Sequence, residues 1–148
     1  MGVIFWKKKD IKLGQQLVSE LTILEWKPLF SLKLFHFHET TGSQDRFHTH
    51  AFDAWSILLH GDYTEEVVKD GEILSLPRSR SRFLFIPKNQ YHRITKSKGC
   101  RTLLITGPWG PEFKELRPTG DTYQEVICGP HRADVGLGSS NVALTRKN

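Results

Sequence analysis

Four of the seven histidines fall into two H-x-H pairs, His36/His38 and His48/His50. Side chains two positions apart on a strand share a face, so such a pair aims two imidazoles at one spot. That donor set suits a first-row divalent metal. A third imidazole from a neighbouring strand would complete one side of a coordination sphere and leave the other positions open. No comparable arrangement of cysteines exists: Cys100 and Cys128 lie far apart and lack a C-x-x-C spacing.

Histidines on strands need strands to carry them, and the chain supplies many. From Leu29 onward, short apolar or alternating runs are separated by turn residues. Strands are expected at Leu29–His38, Phe47–His50, Trp55–Leu59, Tyr63–Val68, Glu72–Leu76, Arg82–Ile86, Tyr91–Thr95 and Arg101–Thr106. The polar segment Glu39–Asp45, Gly61-Asp62, Asp70-Gly71, Pro87-Lys88-Asn89 and Lys98-Gly99 punctuate them, with Asp70-Gly71 a strong hairpin signal. Eight or so short strands at regular spacing indicate a sandwich or barrel, all-β and antiparallel. Residues 1–28 are expected to form an N-terminal arm or short helix, 29–118 the barrel, and 119–148 a closing strand with a mobile tail. The whole, 1–148, reads as one domain, with 38% apolar and 11% aromatic residues to build its core.

The formal charge of +5 does not single out nucleic acid. Lys7-Lys8-Lys9 sits beside the N-terminus, the Arg78–Arg82 cluster is broken by serines, and neither alternates with aromatics as single-strand binders do. No apolar stretch approaches the roughly 20 residues that span a bilayer. Met1–Lys9 becomes charged too soon for a secretory signal, so a reducing cytoplasm is the expected compartment.

Two segments carry a family resemblance. Phe47-His48-Thr49-His50, with Gly61 eleven residues on, resembles the first motif of the cupins, and Pro87-Lys88-Asn89-Gln90-Tyr91-His92 resembles the second, P-x-G-x-x-H, with asparagine in the glycine position. Asparagine tolerates the left-handed conformation that the glycine would supply. The resemblance covers about residues 29–106. Ser56-Ile57-Leu58-Leu59, Gly61-Asp62-Tyr63-Thr64-Glu65, His92-Arg93-Ile94 and Thr106-Gly107-Pro108 further resemble short cupin-like proteins of bacteria and phages that lack an assigned reaction.

The resemblance implies a small jelly-roll barrel with His48, His50 and His92 as ligands of a divalent metal. Fe(II) is favoured by analogy with three-histidine dioxygenases of that superfamily, and zinc, nickel or manganese suit the same donors. Many metal cupins add a glutamate four residues after the second histidine, and here Ala54 stands there. Asp53 is adjacent, but a shift of one residue turns a strand side chain to the other face. Counting by twos from Gly61 places Tyr63, Glu65 and Val67 on the face that is inward in cupins. Glu65 and Tyr63 are therefore the candidates for fourth ligand, acid–base group or substrate clamp. A surface Glu65, paired with a Lys or Arg, is the plainer reading.

The expected function is a small-molecule metalloenzyme of the dioxygenase type, with an isomerase or hydrolase behind it. The alternative is a metal-free module that binds a nucleotide, sugar or other phosphorylated ligand, the three histidines merely hydrogen-bonding in a polar barrel. Trp55, Tyr63, Tyr91 and Trp109 would suit such a ligand. A sugar-nucleotide epimerase needs a histidine–aspartate pair, and His50 with Asp53 is the local candidate that strand parity disfavours. His36 and His38 face solvent or a partner subunit, or support the site by hydrogen bonds. His60 is expected at the surface, Trp109 packed on the barrel end, and His131 has no role. Cys100 is read as a strand-edge residue and Cys128 as a small buried apolar one. A homodimer is expected.

Overall fold

Short alternating runs dominate this sequence, and each becomes a strand in one of two antiparallel sheets that face each other. The computed structural model describes residues 2–39, 46–79, 83–130 and 133–148. Most of the polar segment after Glu39, the first residue of the strand expected from Arg82, and His131 lie outside them. Among the described residues there is no α-helix.

The strands are β1 (Ile4–Leu13), β2 (Gln16–Trp26), β3 (Phe30–Phe37), β4 (Phe47–His48), β5 (Ala54–His60), β6 (Tyr63–Lys69) and β7 (Glu72–Arg78). They continue with β8 (Phe83–Ile86), β9 (His92–Ser97), β10 (Arg101–Thr106), β11 (Phe113–Thr119), β12 (Thr122–Cys128), β13 (Asp134–Leu137) and β14 (Thr145–Arg146). A six-stranded sheet has the order β1-β2-β3-β10-β5-β8, and an eight-stranded sheet the order β13-β12-β11-β4-β9-β6-β7-β14. From β3 to β11 the chain passes repeatedly from one sheet to the other. This alternation gives the jelly roll, and it seats β4, β9 and β6 side by side although long stretches of chain separate them.

Turn chemistry follows the sequence where the geometry demands it. Asp70 and Gly71 both take positive φ (52° and 78°), as a tight hairpin between β6 and β7 requires. Gly61 also has positive φ, and a Cβ there would lie 2.9 Å from the Cα of Cys100. Asn89 is different. It is not among the positive-φ residues, and its turn closes by Gln90 N–H donating to Pro87 O at 3.0 Å. The second motif therefore keeps its turn without the left-handed residue. Pro77 sits within β7, where β14 covers only Glu72 and Ile73, so its missing N–H falls on an open edge.

The two ends of the chain are more ordered than their composition suggests. The N-terminal arm or short helix is instead a long β1–β2 hairpin that extends the six-stranded sheet. Its alternation is obscured in the sequence because β2 puts Gln16, Glu20, Thr22 and Glu25 on the buried face. The C-terminal tail is docked and not mobile. Val142 and Leu144 pack on the cluster of Phe47, Ile73 and Leu116, β14 adds in parallel to β7, and Arg146 pairs with Glu66. Cys100 and Cys128 are both buried free thiols.

Burying glutamates on β2 requires a partner, and β3 provides it. Lys33, 3% exposed, reaches Glu20 at 3.0 Å and Glu25 at 2.8 Å. Burial pushes the Glu20 carboxyl up, but the charge and hydrogen bond of Lys33 outweigh it and hold Glu20 below the usual range. Its contribution to stability is therefore present above pH 4.5 and is lost as the pH falls through its depressed folded value. Lys33→Met strands two buried carboxylates and is expected to cost about 3–5 kcal/mol in urea denaturation at pH 7. The exposed partner of Glu20, Lys9, is expected to cost less than about 1 kcal/mol when changed to Met. The deficit of Lys33→Met shrinks as the pH falls below 4.5, because protonation removes the stranded charge.

Candidate metal centre

The site is assembled on the three adjacent strands β4, β9 and β6. His48 pairs directly with His92 across β4 and β9, and His92 pairs with Val67 on β6. Thr49, between the two motif histidines, is clamped to the next strand. Its N–H donates to Lys114 O and its hydroxyl accepts from Lys114 N–H, both at 2.8 Å. His50 and Asp53 hold the second motif in place: His50 N–H donates to Lys88 O, and Asp53 Oδ1 accepts from Lys88 N–H at 2.7 Å. Asp53, in the loop between β4 and β5, thereby spends an oxygen on the second motif and is not part of the three-histidine group. Ala54, in the position of the usual glutamate, is buried in an apolar cluster with Phe52, Ile86 and Leu104.

His48, His50 and His92 present one ring nitrogen each, all within 4.8 Å of one another. His50 Nε2 and His92 Nε2 stand 2.8 Å apart. The other nitrogen of His92, Nδ1, lies 2.6 Å from Glu65 Oε1. An ionised carboxylate only accepts, so Nδ1 carries a proton, and Nε2 is the ring nitrogen turned toward His48 and His50. This is the tautomer that a metal ligand needs, fixed by the carboxylate–histidine arrangement that accompanies such ligands. The donor set fits a divalent first-row ion.

Glu65 lies inside the barrel, on the same face as Tyr63, and is 3% exposed. Both its oxygens are engaged: Oε1 with His92, and Oε2 with Arg78, whose Nε and second guanidinium nitrogen each stand 2.9 Å away. Burial pushes this carboxyl up, while the His92 hydrogen bond and the Arg78 charge pull it down and prevail, so Glu65 is held below the usual carboxylate range. Arg78 opens on its far side to a cleft lined by Asp62, Tyr63, Thr64, Pro77 and Ser79. In the sequence Arg78 reads only as part of a basic cluster. A buried strand glutamate demands a cation, which is the signal that could have drawn it into the site.

Tyr63 packs with Leu58, Ile94 and Cys100 and stacks on Phe37 at 6.2 Å. Burial and the Glu65 charge push its hydroxyl well above the usual phenol range. On the other side, Phe52 stacks on His50 at 5.2 Å and Trp109 packs on Phe52 at 4.7 Å. Trp109 is fixed from the far sheet, its indole N–H donating to Ser31 Oγ at 3.0 Å. Trp55 is on the outer face, half exposed. His36 and His38 stack on one another away from the three-histidine group, with His38 Nε2 2.8 Å from Ser19 Oγ.

No protein-family model matches the sequence, and no curated protein matches it. Solved structures do resemble it. The Clostridium difficile EutQ protein aligns over 67% of this chain and 75% of its own, at 19% identity and TM-score 0.51. Bacillus subtilis oxalate decarboxylase, a protein with Mn(II) centres, aligns at 14% identity and TM-score 0.54 over 72% of this chain. The match spans 29% of that longer protein. A Streptomyces PAC13 variant with uridine aligns at 8% identity and TM-score 0.55, over 78% of this chain and 88% of its own. With the two motifs, the paired strands and these neighbours, the chain has the jelly-roll fold of the cupin superfamily.

Proposed function

We propose that the protein is a metal-dependent enzyme of the dioxygenase type acting on a small anionic molecule, with Fe(II) held by His48, His50 and His92. The observation that carries the reading is the Glu65–His92 hydrogen bond, which turns His92 Nε2 toward the other two imidazoles. Three neutral imidazoles leave the charge of a divalent ion unbalanced, so the ion would supply a Lewis-acid centre that prefers anionic ligands. The chain's own contribution is to hold these nitrogens in one orientation and to wall the site with Phe52 and Trp109. Glu65 is a positioning residue in this reading and not a fourth ligand, because both its oxygens are engaged. Tyr63 serves as wall and not as base, since its hydroxyl holds its proton at neutral pH.

A metal-free binding module is favoured by one contact. At 2.8 Å, His50 Nε2–H donating to His92 Nε2 is a satisfied hydrogen bond that needs no ion. Metal analysis of untagged protein separates the two readings. Near-stoichiometric metal, absent from His48→Ala and His92→Ala, is the expected result. No metal in the wild type after anaerobic iron loading would favour the metal-free module, as would melting shifts with uridine that survive a chelator.

Glu65→Gln tests the positioning role. It keeps the shape but no longer requires a proton on His92 Nδ1, and is expected to weaken metal binding by about 10- to 100-fold. Competition with a chromogenic chelator measures this, and retained binding at wild-type strength refutes the role. Arg78→Met is expected to weaken binding less, because it acts through Glu65.

A further inference from the structure

The hairpin of β6 and β7 ends, away from its Asp70-Gly71 turn, in a cleft of about 520 Å³. That volume lies within the range of small-molecule sites, roughly 300–1,000 Å³. Tyr63 stands directly opposite Arg78 there, and Thr64 opposite Pro77, so the register brings a phenol and a guanidinium to one spot. Asp62 and Ser79, just outside the two strands, complete the rim. The cleft is separate from the three-histidine group. Glu65 lies between them, with Oε1 on His92 and Oε2 on Arg78.

Arg78 is only half used by the protein. A guanidinium carries its N–H groups in a rigid fork, and those of Nε and Nη2 are directed at Glu65 Oε2, each at 2.9 Å. Among the described residues Nη1 has no partner. The end of the fork, Nη1 with the second N–H of Nη2, therefore remains for another acceptor, and its two parallel donors match the two oxygens of a carboxylate. Tyr63 gives an independent signal. It is 8% exposed and lines the cleft, yet its hydroxyl has no hydrogen-bond partner among the described residues. A nearly buried donor without a protein acceptor calls for one from elsewhere. Burial and the Glu65 charge push this hydroxyl up, so it keeps its proton and donates at neutral pH. Its ring is fixed by Phe37 and by Leu58, Ile94 and Cys100.

The charges around the cleft select among carboxylates. Glu65 already answers the charge of Arg78, and Asp62 adds a negative group at the rim. A bare anion would leave Asp62 unbalanced, whereas a molecule with an ammonium beside its carboxylate answers both signs. We propose that this cleft binds a small aminocarboxylate, an amino acid or a close relative. Its carboxylate sits on the outer edge of Arg78 and on the Tyr63 hydroxyl, and its ammonium faces Asp62 and the hydroxyls of Thr64 and Ser79. Pro77 supplies an apolar wall for side-chain carbons. The site takes nothing from the metal reading, because its donors stand on the far side of Glu65 whether or not the imidazoles hold an ion.

The test is a nuclear magnetic resonance titration of chelator-treated, isotope-labelled protein with glycine. The amides of Asp62, Thr64 and Ser79 and the Nε–H of Arg78 are expected to shift, with a dissociation constant on the order of 1–10 mM for so small a ligand in an open site. Acetate and methylammonium, each with one of the two charges of glycine, are expected to bind at least about 10-fold more weakly. Tyr63→Phe keeps the ring and is expected to weaken glycine about 5-fold, and Asp62→Asn about 10-fold without weakening acetate. Unchanged circular dichroism shows that both variants fold. His48→Ala is expected to bind glycine as the wild type does. No shift at about 50 mM glycine overturns the proposal. Binding that Tyr63→Phe and Asp62→Asn both leave untouched overturns it too, as does binding lost in His48→Ala, which would put the amino acid on the imidazoles. Acetate bound as tightly as glycine refutes the part given to Asp62 and, with it, the aminocarboxylate.

Discussion

The hydrogen bond from His92 Nδ1 to Glu65 is the interaction on which the site depends. It sets the tautomer of His92 and so decides which nitrogen the barrel interior sees. It is also costly to build, since an ionised glutamate with almost no solvent contact is tolerated only when both oxygens are engaged. Arg78 satisfies the second oxygen, and it can reach because β6 and β7 are joined by a tight hairpin that brings Arg78 opposite Tyr63. A shift of register between Thr64 and Glu65, where β6 runs beside β9, accommodates the fit. One bond in the site thus rests on the turn that ends the glutamate's own strand.

The same demand for paired charge shapes the other sheet. Lys33, Glu20 and Glu25 form a second buried ionic group, and the Lys33 ammonium stands 5.1 Å over the Trp109 ring. Trp109 in turn leans on Phe52, which lies on His50. A continuous run of ring contacts therefore links the two buried charge groups. Apolar residues of this sheet stand on both faces: Ala54, Leu58, Ile86 and Leu104 are buried, whereas Phe5, Trp55, Phe83 and Phe85 are exposed.

Much of this is legible in the sequence, for identifiable reasons. The strands from β3 to β10 are bounded by turn residues whose conformations are nearly obligatory, such as Asp70-Gly71. The three histidines follow from two short motifs, whereas Asp53 is kept out of the group by a loop contact, its bond to the Lys88 amide, and not by strand parity. What escapes is whatever depends on partners distant in sequence. The β1–β2 hairpin is hidden because its buried face is polar, so its alternation imitates a surface segment. The C-terminal residues look like a tail because their two anchors, Val142 and Leu144, have no meaning without the cluster around Phe47. Asn89 shows the opposite error: a sound conformational argument meets a turn that uses another conformation.

The absence of a carboxylate at position 54 gains meaning from the packing around it. Ala54 is 1% exposed and lies against Phe52, Ile86 and Leu104, so a glutamate there would bury a charge among apolar groups with no cation at hand. Of the buried carboxylates on the neighbouring strands, Glu65 is committed to His92 and Arg78, and Glu115, paired across from His48, to Arg46 and Arg117. In the proposed reading, an ion held by the three imidazoles would balance its charge with something brought from solution. A small anionic substrate meets that demand, which is why metal binding and an anionic ligand belong together in that reading. If the site instead works without metal, the same two imidazoles that touch at 2.8 Å must part or reorient before either can bind a ligand through Nε2.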